Sequence, residues 1–215
     1  MRRIYWTVSI LIVVCTAIAS AVLYPQLPDR IPIHWNFRGE IDGYGPKNWA
    51  IWFFPAVLLG LLGLFAVLPK LTTKSMSMEG FKDTYAFVVM ASIGILAFVD
   101  ALTLLAATHH AVDFPRTLML AVFVAFALQG NVLGKVTRNP YVGIKVPWTL
   151  LSDKVWNATH RLGAWLFTAC GIVGIVLTAS GGPLWLTPVP LLIAALVPIV
   201  YSFMLYRKLE ARGEL

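Results

Sequence analysis

The stretch YAFVVMASIGILAFVDALTLLAA, residues 85–107, decides the fold. It carries one charge, Asp100, in 23 residues, and its apolar side chains run on without the alternation of a strand. A helix rises about 1.5 Å per residue and a bilayer core is about 30 Å thick, so roughly 20 apolar residues suffice to cross. Working outward, five more stretches pass the same test: 4–23, 49–68, 117–134, 162–179 and 184–206. Continuous apolar runs favour helices over a barrel. The expected fold class is all-α, a polytopic membrane protein with six transmembrane helices.

Composition agrees. Of 215 residues, 59% are hydrophobic and 13% charged, with a mean hydropathy of +0.77. A soluble domain carries about 25% charged residues, so a water-facing enzyme surface is excluded. No Gly-x-Ser-x-Gly, Walker loop or intramembrane aspartyl pair occurs, and no enzyme activity is expected. The net charge of +7 is distributed unevenly, with 13 Lys and Arg on one side of the spans and 4 on the other. The positive-inside rule then places both termini in the cytoplasm of a multi-pass plasma-membrane protein. Positive charge read as a topology device leaves no direct nucleic-acid binding to expect. Cys15 and Cys170 lie inside apolar runs, which suits neither a disulfide framework nor a zinc site. Residues 4–23 end in a signal-peptide-like Ala19-Ser20-Ala21, yet they are long enough to span and are expected to be retained.

The spans divide into a helix pair, 1–68, with an extracytoplasmic loop 24–48, and a four-helix region, 69–215, with a cytoplasmic loop 135–161. Together they are expected to form one integral membrane domain. In the first loop Ile31, Ile33, Trp35 and Phe37 alternate with Pro32, His34, Asn36 and Arg38, a strand period. Asp42-Gly43 is a turn signal, so a short hairpin is expected, its apolar side on the helices and His34, Asn36 and Arg38 in water. In the second loop Pro140 and Pro147 stop helix, while Ser152 reads as an N-cap with Asp153 in the first turn. That helix groups Val155, Trp156 and Thr159, with His160 one turn beyond Trp156. Trp148 and Trp156 are expected at the headgroup boundary. The Asn139 amide is expected to tie the loop to Gln129 or Asn131.

These two loops carry a family resemblance. Gly130-Asn131, Lys135, Arg138-Asn139, Gly143-Ile144-Lys145, Pro147-Trp148-Thr149-Leu150, Trp156 and Thr159-His160-Arg161 resemble the signature of the SdpI family of bacterial membrane proteins. The run from Leu27-Pro28 through Ile33-His34-Trp35-Asn36, then Gly39-Glu40 and Asp42-Gly43 to Lys47, is similar to the unnamed domain that often precedes that signature. Lys145 stands where arginine is expected, which keeps the charge but loses the planar fork. The resemblance implies immunity to a secreted antimicrobial peptide toxin. It also implies sensing of that toxin, with recruitment of a small DNA-binding repressor on the cytoplasmic side. On that reading Ile33, His34, Trp35, Asn36, Gly39 and Asp42 meet the toxin. Asn131, Arg138, Asn139, Gly143, Lys145, Pro147, Trp148, Thr149, Trp156, His160 and Arg161 form the signalling loop. Membrane lipids are the remaining partner, and no cofactor is expected.

Other residues admit two readings. Asp100 is either the centre of a small proton- or solute-coupled transporter or a neutral acid bonded to Thr103 or a neighbouring helix. His34, His109, His110, Asp29, Glu40, Asp42 and Asp113 share one face, but without metal-ligand spacing, so no metal site is expected. Pro188, Pro190 and Pro198 interrupt the sixth span. Gly60, Gly63, Gly171 and Gly174 have small-residue packing spacing.

Overall fold

The computed structural model describes residues 1–36, 38–108 and 112–215, so Phe37, His109 and His110 of the sequence reading lie outside the described residues. Among the described residues seven α-helices and one hairpin, joined by short 3-10 turns, follow in order: α1 (Arg2–Leu23), β1 (Arg30–Trp35), β2 (Ile41–Pro46), α2 (Lys47–Val67), α3 (Lys82–Thr108), α4 (Phe114–Leu133), α5 (Pro147–Leu151), α6 (Asp153–Ala179) and α7 (Pro188–Glu210). All but α5 are long and apolar enough to cross a membrane. The protein is a multi-pass membrane protein with six such helices among the described residues. Alternation of the spans puts the hairpin at one end of the bundle and the α5 loop at the other, together with both chain ends.

Sequence explains the helix ends. Asp113 caps α4 by accepting from the Arg116 N–H, and Pro115 fills the first turn, where its missing N–H costs nothing. Ser152 caps α6 by accepting from the Val155 N–H, as expected. The helix opens at Asp153, nine residues before the apolar run begins. Pro188 and Pro190 occupy the first turn of α7, so Pro198 alone lies inside the helix; the other two open the span rather than interrupt it.

Packing falls into two halves. α1 lies along α3 through a narrow face of Ser9, Val13, Thr16 and Ser20, all buried. α4 and α6 approach through glycine. A Cβ on Gly171 would lie 2.7 Å from the Ala127 amide nitrogen, one on Gly130 would lie 2.6 Å from that of Thr168, and one on Gly174 would run into the Phe123 ring. Small residues let helix backbones touch where lipid offers no hydrophobic drive. Gly171 and Gly174 thus pack as the spacing suggests. Gly60 and Gly63 do not, because open space surrounds both. A core of Leu58, Tyr85, Val89, Ile93, Val136 and Trp156 joins the halves near the α5 loop.

The hairpin is antiparallel and doubly bulged. Arg30, Ile31 and Pro32 pair with Pro46, Gly45 and Tyr44; His34 then pairs with Gly43 and Trp35 with Ile41. Ile33 on β1 and Asp42 on β2 are the extra residues. The turn is not at Asp42-Gly43, which lie within β2, but at Asn36–Glu40. There the Asn36 Oδ1 accepts from the Arg38 and Glu40 amides at 2.9 and 3.1 Å, and Gly39 takes a φ of +83° that other residues resist. The two bulges also break the expected alternation: Ile31 and Pro32 are buried and Ile33 is 45% exposed.

Candidate functional site

At the hairpin end a groove of about 1230 Å³ opens between the hairpin and the ends of α2, α3, α4 and α7. The hairpin is anchored beside it. Ile31 packs with Ala50, Ile51, Leu104 and Ala107, and the Trp35 ring stacks on Phe114 with centroids 3.6 Å apart. Lys47 donates its Nζ to the Leu27 carbonyl at 3.0 Å and its N–H to Asp29. Both bulged residues, Ile33 and Asp42, line the groove, which is what a bulge does when it re-aims a side chain. Trp49, Phe53, Leu118 and Leu191 make its walls apolar, and Val99 and Thr103 of α3 contribute to its lining. Its polar rim is the exposed pair His34 Nδ1 and Asp42 Oδ1, 2.5 Å apart across the strands.

Five of the six hairpin residues singled out from sequence meet here: Ile33, His34, Trp35, Asn36 and Asp42 line the groove. Their parts differ. Asn36 is taken up by its own turn, its Nδ2 donating to Glu40 Oε2 at 2.8 Å. Gly39 shapes the turn and lies over Pro115. The walls drawn from α2, α3, α4 and α7 have no local sequence signature.

Above the groove, Arg116 bridges α4 and α6. Its Nη1 donates to the Thr178 carbonyl at 2.8 Å and to that of Gly182 at 3.2 Å, while Nε pairs with Asp113. The guanidinium thus adds a charged donor at the C-terminal end of α6, where the helix dipole favours a cation.

The opposite end is a closed polar network. His160 is 1% exposed, stacks on Trp156 at 3.9 Å, and accepts at Nε2 from the Ile144 N–H at 3.0 Å. Its Nδ1 faces the Trp156 carbonyl at 2.8 Å, so the ring is a neutral tautomer with Nδ1–H donating. Asn139, fully buried, donates Nδ2 to Thr137 and Val142 carbonyls and accepts at Oδ1 from the Tyr141 and Val142 amides. It therefore ties its own loop rather than Gln129 or Asn131. Thr149 accepts from the Val146 N–H at 3.1 Å and donates to the Ile144 carbonyl at 2.9 Å. Trp156 is fully buried, and its Nε1 donates to the Val136 carbonyl at 2.7 Å. Trp148 is half-buried and donates to Ser202 on α7. Gly143, at a φ of +122°, sits where a Cβ would collide with His160 Nε2.

Arg138 joins this network through Asp153, at 2.7 Å, and the Leu150 carbonyl. Lys145 folds back on the Tyr141 carbonyl at 2.8 Å and the Pro140 carbonyl at 3.3 Å. Pro147 opens α5. Asn131 and Arg161 stay outside the network: both are exposed, with no side-chain bond among the described residues.

Asp100 is 2% exposed within α3, between Val99 and Thr103 of the groove lining but not itself part of it. Thr103 does not bond to it, since its hydroxyl donates to the Val99 carbonyl at 2.9 Å. Among the described residues no group of three or more His, Cys, Asp or Glu gathers as a metal site, and both cysteines are free thiols.

Residues 11–59 match a family model described as a domain of unknown function, DUF1648, and residues 135–202 match that of the SdpI/YfhL protein family. The first spans most of α1, the hairpin and half of α2; the second begins at the closed network and ends at Ser202. The chain is similar to the protein named Immunity protein SdpI of Bacillus subtilis (strain 168), with 26% identity over 208 residues, covering 94% of this chain and 96% of that one. No solved structure matches. Two motif regions in the order the resemblance implies, within a six-span bundle aligned end to end with a relative, make the chain similar to the SdpI/YfhL protein family over residues 135–202 and to that N-terminal domain over residues 11–59.

Proposed function

We propose that this membrane protein confers immunity to a secreted antimicrobial peptide, and that it does so by binding rather than by catalysis. The observation that carries the reading is the groove: a large apolar space at the hairpin end, rimmed by motif residues that two bulges turn toward it. An apolar peptide approaching through the outer leaflet meets aromatic walls and a small polar rim, the usual make-up of a binding cleft. The charge asymmetry supports an orientation with the hairpin outside and both termini in the cytoplasm. The similarity to an immunity protein over nearly the whole chain supports the same reading.

Sensing is the finer part of the proposal. α4 begins at the groove with Phe114 and Leu118 and ends at the closed network, gripped by α6 through Gly130, Gly171 and Gly174. Helices so tightly fitted move as one body, so an occupant pressing on α4 is felt at the loop. A cytoplasmic repressor would then meet the exposed basic side chains there, Arg161 among them.

The test is survival of a sensitive bacterium expressing the chain and challenged with a panel of secreted antimicrobial peptides. Wild type is expected to protect against at least one. Ile33→Asp and Leu118→Trp, at wild-type membrane levels, are expected to abolish that protection; unaltered protection by both would overturn the groove as the site.

A further inference from the structure

The end of the bundle opposite the groove holds a second cavity, of about 330 Å³. It lies where the starts of α1 and α3 meet the end of α2. The Arg2 N–H on Asp83 at 3.1 Å and the Tyr5 ring on Phe87 bring the two starts together. The Tyr85 hydroxyl, donating to the Phe65 carbonyl at 2.6 Å, ties in the end of α2.

The lining divides by depth. Trp6, Ala66 and Tyr85 lie just inside the apolar stretches 4–23, 49–68 and 85–107, whereas Arg2, Lys70 and Lys82 lie just outside the same three. The cavity therefore straddles the level at which hydrocarbon gives way to headgroups. Its floor is apolar: Met78 and Tyr85 are 3% and 4% exposed, and Trp6 is half-buried. Its rim is cationic, three basic side chains against one acid, Glu79. That acid is taken by Lys82, 2.9 Å away, and Arg2 acts on it only from beyond ion-pair distance. The Arg2 guanidinium and the Lys70 ammonium thus have no side-chain hydrogen bond or ion pair among the described residues. Ser77 Oγ accepts from the Glu79 N–H at 3.2 Å and gives its own proton to no acceptor among them.

We propose that this cavity binds one anionic phospholipid. Its phosphodiester sits on Arg2 and Lys70, flanked by Lys82, with the Ser77 hydroxyl donating. Its glycerol and first acyl carbons lie on Trp6, Ala66 and Met78. Cations kept for topology alone need only be on the right side of the membrane. Here they converge on a cavity between helices, the arrangement that captures anionic headgroups. A free phosphate would use the rim and leave the apolar floor uncovered. An acidic protein segment would come from the aqueous side and has no use for a floor at hydrocarbon depth. A lipid so held clamps the first turn of α1 to the connection 68–81, and by binding the folded state it stabilises it. The site does not need the immunity reading.

The experiment is native mass spectrometry of the full chain released from detergent, with phosphatidylglycerol and phosphatidylcholine of the same acyl chains added in turn. Wild type is expected to hold one phosphatidylglycerol roughly tenfold tighter than phosphatidylcholine. R2Q/K70Q is expected to lose that preference. K208Q/R212Q, which removes as much charge from the exposed tail, is expected to keep it. A66W fills the cavity with every charge in place and is expected to lose it too, so it carries the test should R2Q/K70Q fail to fold. Glycerol phosphate, a headgroup without chains, is expected not to displace the lipid at equal concentration. Equal binding of the two lipids by wild type overturns the proposal. So does a preference that survives in either R2Q/K70Q or A66W, or one that K208Q/R212Q loses as fully. Displacement by glycerol phosphate overturns it in favour of a soluble phosphate. Survival under peptide challenge is a separate readout and bears on the groove alone.

Discussion

The two motif-bearing ends of this bundle use their polar residues in opposite ways. At the hairpin end, His34 and Asp42 stand exposed beside an apolar groove, bonded to each other and to little else. At the α5 end, Asn139, Thr149, Trp156 and His160 are buried to within 1% and satisfy one another and the loop backbone. A motif residue of the first kind is free to meet a partner. One of the second kind is already occupied, and its substitution changes the shape of the loop before it changes any contact.

Substitutions can break or sharpen this contrast. The largest effect is expected at Gly143→Ala, where a φ of +122° and the collision with His160 act together. A cost of about 3 kcal/mol or more is expected, from backbone strain and an orphaned histidine, seen as loss of the folded peak in detergent size exclusion. Asn139→Ala comes next. It strands the Tyr141 and Val142 amides, costing about 2–4 kcal/mol, to be read from unfolding in a denaturing detergent. Wild-type stability in either variant would place the closed network on the same footing as the hairpin.

The hairpin end should answer differently. Trp35→Ala removes the stack on Phe114, worth about 1 kcal/mol beyond its buried area, and is expected to lose protection out of proportion to its loss of Tm. His34→Ala, with its exposed partner, should shift stability by less than about 1 kcal/mol while still reducing survival under peptide challenge. The smallest effect is expected at Gly60→Ala. Nothing lies within 4 Å of the added methyl, so the helix should gain about 0.5–1 kcal/mol in thermal unfolding, with protection unchanged.

The spans were legible because hydrocarbon imposes a local rule, and a run such as residues 85–107 answers it without help from the rest of the chain. The hairpin was half legible. Alternation around Ile31–Phe37 announced a strand, but the turn came from the Asn36 side chain and Gly39, and the bulges at Ile33 and Asp42 depend on what the strands must face. The N-cap at Ser152 and the Trp156–His160 stack followed from spacing alone. Burial of Trp156 did not, because its pocket is built from α1, α2 and α3, distant in sequence. The groove was not legible for the same reason: four helices contribute walls, and none carries a pattern that names its neighbours.

Arg116 gives the bundle a pivot. Its bonds to Thr178 and Gly182 pin the groove end of α6 to the first turn of α4. From that pin the 27 residues of α6 extend about 40 Å to Asp153. Any tilt begun near the groove therefore reaches the far end magnified by the arm: five degrees becomes roughly 3.5 Å over that length. At His160, about 27 Å from the pin, the same tilt amounts to roughly 2.4 Å, enough to stretch its hydrogen bond from the Ile144 N–H. A helix pinned at one tip and held at the other through His160, Trp156 and Asp153 carries a tilt from end to end, and cutting Arg116 back to alanine would leave the lever without a fulcrum.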